Sequence, residues 1–377
     1  MKEYSLVIAS NFVDHYMLAL SLELMKYFKD FKFVASKELA ENYRQLGFSD
    51  LNNKEFVVKA YENKKYAEKI IMDADIVITG SYAYENHINK RLKKNKPVIY
   101  YSERLFKYNK ILNFASAIRN IIRYRYSKNS ILLCISAYAA GDYNKINLFK
   151  NRTYKWGYFP AITRYDDIEK FIDNKKKNSI LWVGRLIEWK HPDHAIEVAR
   201  RLKNDGYSFE MNIAGNGEME DKLKSMISEY DLADCVHMLG SMPPEQIRKH
   251  MEESEIYLFT SDKGEGWGVV LNEAMNSACA CVASYSAGST PFLIQDKENG
   301  IVYKNQNVDD LYKGVAYLLD NDAIKKEFSK NAYETIANEW NCEETASRLS
   351  NMISNLLTQK DINVYSNGLL SKTEIFG

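Results

Sequence analysis

The sequence predicts an α/β fold of two domains, each a parallel β-sheet flanked by helices. Three observations carry this prediction. A chain of 377 residues is longer than one ordinary core accommodates. Short β-rich runs alternate with longer amphipathic stretches, the pattern of parallel strands joined by crossover helices. Two such sets flank a Lys- and Asn-rich, weakly patterned stretch, Thr163 to Asn178.

The first set opens with the apolar run SLVIA (5–9), of strand length. Residues 15–28 follow, with apolar side chains recurring every three or four positions, as on one face of a helix. Strands are predicted at 31–36, 75–80, 97–102 and 132–136, with helices near 62–72 and 85–94. The second set begins with a strand at 179–184 and a helix at 191–206 closed by Gly206. Further strands are predicted at 208–215, 236–240, 255–261 and 279–284, and a helix at 343–357 ends the pattern. The predicted domains are 1–165 and 166–345, with a tail, 346–377, that packs back toward the first.

Composition narrows the class. Hydrophobic residues at 46% and charged residues at 27% are the balance of a globular protein. A net charge of +1 gives no long-range steering, so any partner preference rests on local patches. The five cysteines are odd in number and lack CxxC or Cys/His metal spacing, which favours a reducing cytoplasm. The run Tyr4 to Ala9 is too short for a signal peptide, and no stretch approaches the roughly 18 apolar residues of a membrane span. The expectation is a cytoplasmic protein, at most peripheral on a membrane.

The chemistry concentrates in IYLFTSDKGEGWGVVLNEAMNSACACVAS (256–284), which reads as strand, glycine-punctuated loop, helix, strand. A loop leaving the carboxyl end of a parallel strand is where open α/β sheets bind ligands. The helix expected to start near Val269 would turn unpaired N–H groups and its positive dipole end toward that crevice, which suits a diphosphate. Gly264, Gly266 and Gly268 permit a tight turn and close backbone approach. Glu265 and Glu273 would project at different depths along the crevice, where a carboxylate's two oxygens match the two donors of a diol. An E-x7-E spacing alone describes two solvated acids at a helix start. Its place in a strand–loop–helix unit with three glycines gives it the functional reading.

These residues resemble the EGFG…EA signature of the retaining GT-B glycosyltransferases of family 4. The similarity continues in VGRLIEWKHPDHAIEVA (183–199), IAGNGEMEDKL (213–223), VHMLGSMPPEQI (236–247) and SYSAGSTPFLIQDKENGIVY (284–303). It spans about residues 179–345; over 1–160 it rests on fold pattern alone. The resemblance implies a GT-B fold, two Rossmann-like domains facing each other across a cleft, with acceptor bound by the first and nucleotide-sugar donor by the second. It implies that Arg185 and Lys190 bind the donor diphosphate. Glu265 and the backbone of Gly266, Trp267, Gly268 and Val269 would hold the donor sugar, and Glu273 the ribose. Ser241 and Met242 would lie against the base, and Asn216 and Gly217 would close one wall. The bland reading of Gly215 and Gly217 is a strand–helix turn, since G-x-G by itself is weak.

The sequence also departs from the family pattern. His191 replaces the glycine that usually follows the lysine, which leaves the backbone there less free. Phe292 stands where many members carry an acid. After the first strand, Ser10, Asn11 and Phe12 replace a glycine-rich loop, leaving Asn11 as the polar candidate there. Many family members place a histidine at the end of an N-terminal-domain strand; the equivalent stretch here, 97–106, places Ser102, Glu103 and Arg104 at the crevice edge. Glu103 is the candidate for orienting acceptor or donor hydroxyls, against the simpler reading of a loop acid paired with Arg104.

The resemblance implies transfer of a hexose or N-acetylhexosamine from a nucleotide sugar, expected to be UDP-linked, to a glycan acceptor on a lipid carrier. On the family mechanism the departing phosphate takes the attacking hydroxyl's proton, so the enzyme positions and neutralises rather than supplying a nucleophile. No metal or other cofactor is expected if Arg185, Lys190 and helix dipoles neutralise the charge. Asp73-Ala74-Asp75, a D-x-D, precedes a strand and reads as a helix-end cap. The six histidines show no triad or metal geometry. Residues 90–128 carry twelve Lys and Arg against one acid, Glu103, interleaved with apolar residues. Such a segment suits an anionic membrane surface, or else a basic solvated face over an ordinary core. No nucleic-acid motif is present. The rival readings are an epimerase or hydrolase on the same fold and a non-catalytic nucleotide-sugar-binding partner. A nicotinamide enzyme would need a G-x-G-x-x-G after the first strand.

Overall fold

The computed structural model describes residues 2–39, 50–81, 83–108, 110–304 and 307–376. The chain divides into two compact units, Met1–Ala161 with Trp340–Gly377, and Ile162–Glu339. Against the predicted limits 165/166 and 345/346, the divisions fall at 161/162 and 339/340.

In the first unit the chain runs through β1 (Lys2–Ser10), α1 (His15–Met25), β2 (Phe28–Ala35), β3 (Val57–Lys59), α2 (Lys64–Asp73) and β4 (Ile76–Thr79). It continues through α3 (Glu85–Lys93), β5 (Val98–Ser102), α4 (Lys110–Arg123), β6 (Ile131–Ile135), α5 (Ala139–Lys145) and β7 (Thr153–Trp156). The strands form one parallel sheet in the order β3-β2-β1-β4-β5-β6-β7. A parallel sheet covered on both faces needs continuous apolar runs, and Leu6–Ala9, Ile76–Ile78 and Ile131–Ile135 are all buried. The free edge of β7 is covered by the end of the chain. Lys155 N–H donates to Ser371 O at 2.9 Å, and Thr373 N–H donates to Thr153 O at 3.1 Å.

Two charged residues in this unit serve the fold. Arg91 is fully buried and its guanidinium donates to the carbonyls of Ile71, Met72, Ala74, Asp75 and Pro97 at 2.7–3.3 Å. It satisfies the carbonyls that α2 leaves open at its end, and burial lowers its pKa to about 10. The stretch Asp73-Ala74-Asp75 ends α2 as expected, with Ala74 at the C-cap, and Asp75 beyond it serves the sheet. Its Oδ2 accepts from Ser5 N–H and Ser5 Oγ, each at 2.8 Å. That ties β1 to β4 at the amino edge of the sheet, away from the edge where α/β sheets bind ligands.

The second unit contains α6 (Ile168–Asp173), β8 (Lys176–Val183), a 3₁₀ turn (Glu188–Lys190), α7 (Pro192–Asn204), β9 (Glu210–Ala214), α8 (Glu220–Glu229) and β10 (Val236–Gly240). After these come α9 (Pro244–Glu253), β11 (Ser254–Phe259), α10 (Val270–Asn276), β12 (Ala280–Ser284), α11 (Thr290–Leu293), β13 (Ile301–Tyr303), α12 (Val308–Asp320) and α13 (Asp322–Asn338). α14 (Cys342–Leu357) then returns to the first unit, where it packs on α1.

All neighbours in the second sheet are parallel, in the order β10-β9-β8-β11-β12-β13, so the strand order reverses between β8 and β11. This is the Rossmann order, and the reversal makes a crevice beyond the carboxyl ends of those two strands. Ile180, Trp182, Ile196, Leu202, Ile213, Leu223, Ile256, Leu258 and Val282 form the core beneath it. Lys175, buried, anchors the opposite side. Its Nζ donates to the carbonyls of Met251, Glu252, Ser254 and Ser277 at 2.7–3.0 Å.

Candidate donor site in the second unit

Beyond β8 the chain turns through Arg185 to the 3₁₀ turn that delivers Lys190; beyond β11 it runs through residues 260–268 to α10. Both loops open at the sheet's switch point, and they are bonded to each other. Asp262 N–H donates to Trp189 O at 3.0 Å, and Thr260 Oγ1 donates to Lys190 O at 2.6 Å. Thr260 in turn receives the indole N–H of buried Trp182 at 2.7 Å.

This scaffold brings together two residues that lie 75 positions apart. Lys190 Nζ forms an ion pair with Glu265 Oε2, and both residues are buried. Ser261 Oγ donates to the same carboxylate oxygen at 3.1 Å. A buried pair of this kind is geometrically specific, because either charge left alone costs several kcal/mol, roughly 3–5. Arg185 is exposed, its guanidinium carbon 5.6 Å from the Trp189 ring centre, and it makes no ion pair or side-chain hydrogen bond among the described residues. Glu273, half-buried, has a carboxylate with no hydrogen-bond or ion-pair partner among the described residues. Burial raises its pKa, with Arg248 opposing. A cation and a carboxylate available at one crevice suit a phosphate and a diol.

The remaining predicted residues divide by role. Trp267 is buried, its indole N–H donating to Asn272 Oδ1 at 2.8 Å, so its side chain belongs to the core and only its backbone serves the loop. Gly268 adopts φ +88°, and a Cβ there would lie 2.2 Å from Phe259 Cζ. Gly217 lets the chain pass close to Leu186, whose carbonyl oxygen a Cβ would meet at 2.4 Å. Asn216, Ser241 and Met242 follow β9 and β10 at the same edge, Asn216 and Ser241 exposed. Val269 caps α10, which has seven residues and no side-chain cap. The macrodipole expected of that helix start is correspondingly short.

His191 shows what its replacement of glycine entails. It takes φ 49°, ψ 54°, the left-handed conformation glycine adopts without cost. Its Nε2 lies 3.2 Å from Asp262 Oδ2, while Asp262 Oδ1 accepts from Gly264 N–H at 2.7 Å. Asp262 therefore fixes the start of the glycine loop and ties it to the lysine turn. Sequence reading missed this residue, although its position directly before KGEG was a signal. The histidines also need correction. His191 and His194 stack with ring centres 4.5 Å apart, and with Asp193 they offer ligand atoms within 4.8 Å of one another, a grouping of metal-ligating type.

Asn11 and Glu103 belong to the first unit. Asn11 Oδ1 accepts from Ser81 Oγ at 3.0 Å, joining the carboxyl ends of β1 and β4. Glu103 is bonded to Tyr158, whose hydroxyl donates to Oε1 at 2.9 Å. Arg104 is not its partner. That guanidinium donates to Phe106 O at 3.0 Å and lies over the Tyr138 ring.

Residues 164–335 match the family model described as Glycosyl transferases group 1. The second unit is a glycosyl transferases group 1 domain. Among curated relatives, the amylovoran biosynthesis glycosyltransferase AmsK of Erwinia amylovora is 40% identical over 126 residues, 32% of this chain and 31% of that protein. A Campylobacter jejuni enzyme is 30% identical over 157 residues, 42% of this chain and 41% of its own; it is named N-acetylgalactosamine-N,N'-diacetylbacillosaminyl-diphospho-undecaprenol 4-alpha-N-acetylgalactosaminyltransferase. The matches span about a third to a half of the length of the first curated relatives. Among solved structures, HepE of Anabaena in complex with UDP superposes with a TM-score of 0.69 at 14% identity, covering 94% of this chain and all of that one. That likeness establishes the fold, the two Rossmann-like domains of the GT-B class. The group 1 domain contains Arg185, Lys190, Asn216, Gly217, Ser241, Met242, Glu265 to Val269 and Glu273.

Proposed function

We propose that the chain is a retaining glycosyltransferase that moves a hexose or N-acetylhexosamine from a UDP-sugar to a glycan acceptor, lipid-linked and destined for a surface polysaccharide. The observation that carries this reading is the buried Lys190–Glu265 pair at the switch point of a group 1 domain. Lys190 and Arg185 bind the diphosphate and neutralise the charge that grows on it as the glycosidic bond breaks. Glu265 takes the sugar hydroxyls and Glu273 the ribose. The acceptor oxygen forms its bond to the anomeric carbon on the face the phosphate leaves, and its proton passes to the departing phosphate oxygen. No metal is required for this neutralisation. In the first unit Glu103, held by Tyr158, orients hydroxyls, with Asn11 at the neighbouring strand ends.

The known activities and ligands of similar proteins support the choice of substrates. HepE has been crystallised with UDP, and the Campylobacter enzyme acts on an undecaprenyl-linked sugar. The reading places the enzyme at the cytoplasmic face of a membrane, where residues 90–128 meet anionic lipid.

A thermal-shift panel of UDP-, GDP-, ADP- and CMP-sugars tests it, because a ligand of the native state raises apparent stability. UDP-sugars are expected to raise Tm, Lys190→Ala to abolish the rise, and Glu265→Gln to retain UDP binding while losing turnover about 10²–10³-fold. Sugar incorporation into added acceptor separates transfer from epimerisation or hydrolysis. A shift that Lys190→Ala leaves intact overturns the assignment.

A further inference from the structure

The helix α4 is built inside out. Its apolar residues recur at 111, 114, 118 and 121, a single stripe that periodicity would turn toward a core. The structure turns it to solvent: Ile111 is 80% exposed, Phe114 69% and Leu112 65%, with Ile118, Ile121 and Ile122 also exposed. The inward face is polar. Asn120 is buried with its amide on Ser116 O at 2.8 Å, and buried Arg123 donates to Ser81 O at 2.6 Å. Single exposed apolar residues are ordinary, but six on one helix are an interaction surface.

Charge identifies the occupant. Residues 104–128 contain no Asp or Glu, and Lys107, Arg119, Arg125 and Lys128 are exposed around the stripe. A second copy docked about a two-fold axis would set this basic rim against itself. A bilayer with anionic headgroups satisfies both the apolar stripe and its rim. Fourteen residues of helix are about 21 Å long, and no helix among the described residues is long and apolar enough to cross a membrane. We infer that α4 lies in the plane of an anionic membrane and inserts its apolar face below the headgroups, anchoring the enzyme there.

This deepens the proposed lipid-side placement and rests on it for its purpose. It also revises which residues act. Arg91 and Arg123 are buried, Lys96 donates to Met72 O at 2.7 Å, and Arg104 is turned inward, so these cations of residues 90–128 are spent on the fold. The anchor is the apolar stripe, with charge as its rim.

Sedimentation of the full chain with vesicles of phosphatidylcholine, with and without 30% phosphatidylglycerol and free of any glycolipid, tests this. Anionic vesicles are expected to bind at least tenfold more protein than neutral ones. The pair Phe114→Ser and Ile118→Ser should cut binding at least tenfold at every salt concentration, with Tm unchanged. Arg119→Glu with Arg125→Glu should remove the anionic preference while leaving weak binding. Absence of vesicle binding, or binding indifferent to the serine pair, overturns the anchor. So does a dimer in light scattering without lipid that the serine pair dissolves, which would assign the face to a second copy. The UDP-sugar shift is measured separately, so a lost anchor with an intact shift leaves the donor assignment standing, and the reverse holds.

Discussion

His194 ties the stability of the second unit to pH. Burial, with His191 beside it, lowers its pKa to about 4 from the ordinary 6.5. Between those values the unfolded chain takes up a proton that the folded chain refuses, so stability is full above pH 6.5 and is lost as pH falls toward 4. Discounted for a ring that is only half-buried, the loss is about 1–2 kcal/mol. Thermal unfolding from pH 7 to 4 should show this slope, and His194→Gln should flatten it; an unchanged slope would assign the acid sensitivity elsewhere. Single residues also show what linear reading could reach. Glu265 and Glu273 were visible from their loop and spacing, whereas Arg185 and Lys190 were singled out by the family resemblance. The Lys190–Glu265 bond was not visible, because it joins strands that are adjacent only once the sheet order reverses. Asp262 and Tyr158 were missed for the same reason: each matters through a partner distant in sequence.

At the scale of elements, backbone freedom can be separated from space by comparing two glycines of the second unit. Gly268 and Gly240 both have positive φ, +88° and +72°, but a Cβ at Gly240 would meet nothing within 4 Å. Gly240→Ala should cost about 1–2 kcal/mol of left-handed strain alone. Gly268→Ala adds a collision with buried Phe259 and should cost roughly 3 kcal/mol or more while weakening donor binding. Urea unfolding of both variants checks this; equal costs would mean that the Phe259 wall yields freely. Elements with long apolar runs were legible, such as β1, β4 and β11. The three-residue strands β3 and β13 and the four-residue β7 were not, since so few residues show no periodicity. For α4 the basic and apolar interleaving was legible, but neither the helix Lys110–Arg123 nor the direction of its apolar stripe was, because periodicity defines a face without saying what covers it.

For the whole molecule, the first unit is assembled from two separated stretches, and its last sheet edge is closed by residues 370–373. Leu369 and Leu370 are fully buried, and Arg348 donates to Leu369 O at 2.8 Å. A chain ending at Tyr365 would bare the N–H and C=O groups along β7, a template for pairing between molecules. It should scatter light in proportion to concentration under conditions that keep the full chain clear; equal scattering would show that β7 needs no cover.

That closing strand-like tail also sets an order on synthesis. Translation delivers residues 162–339 in full before the residues that seal the first sheet emerge. The group 1 domain can therefore finish folding while its predecessor still waits, α1 uncovered, on the ribosome.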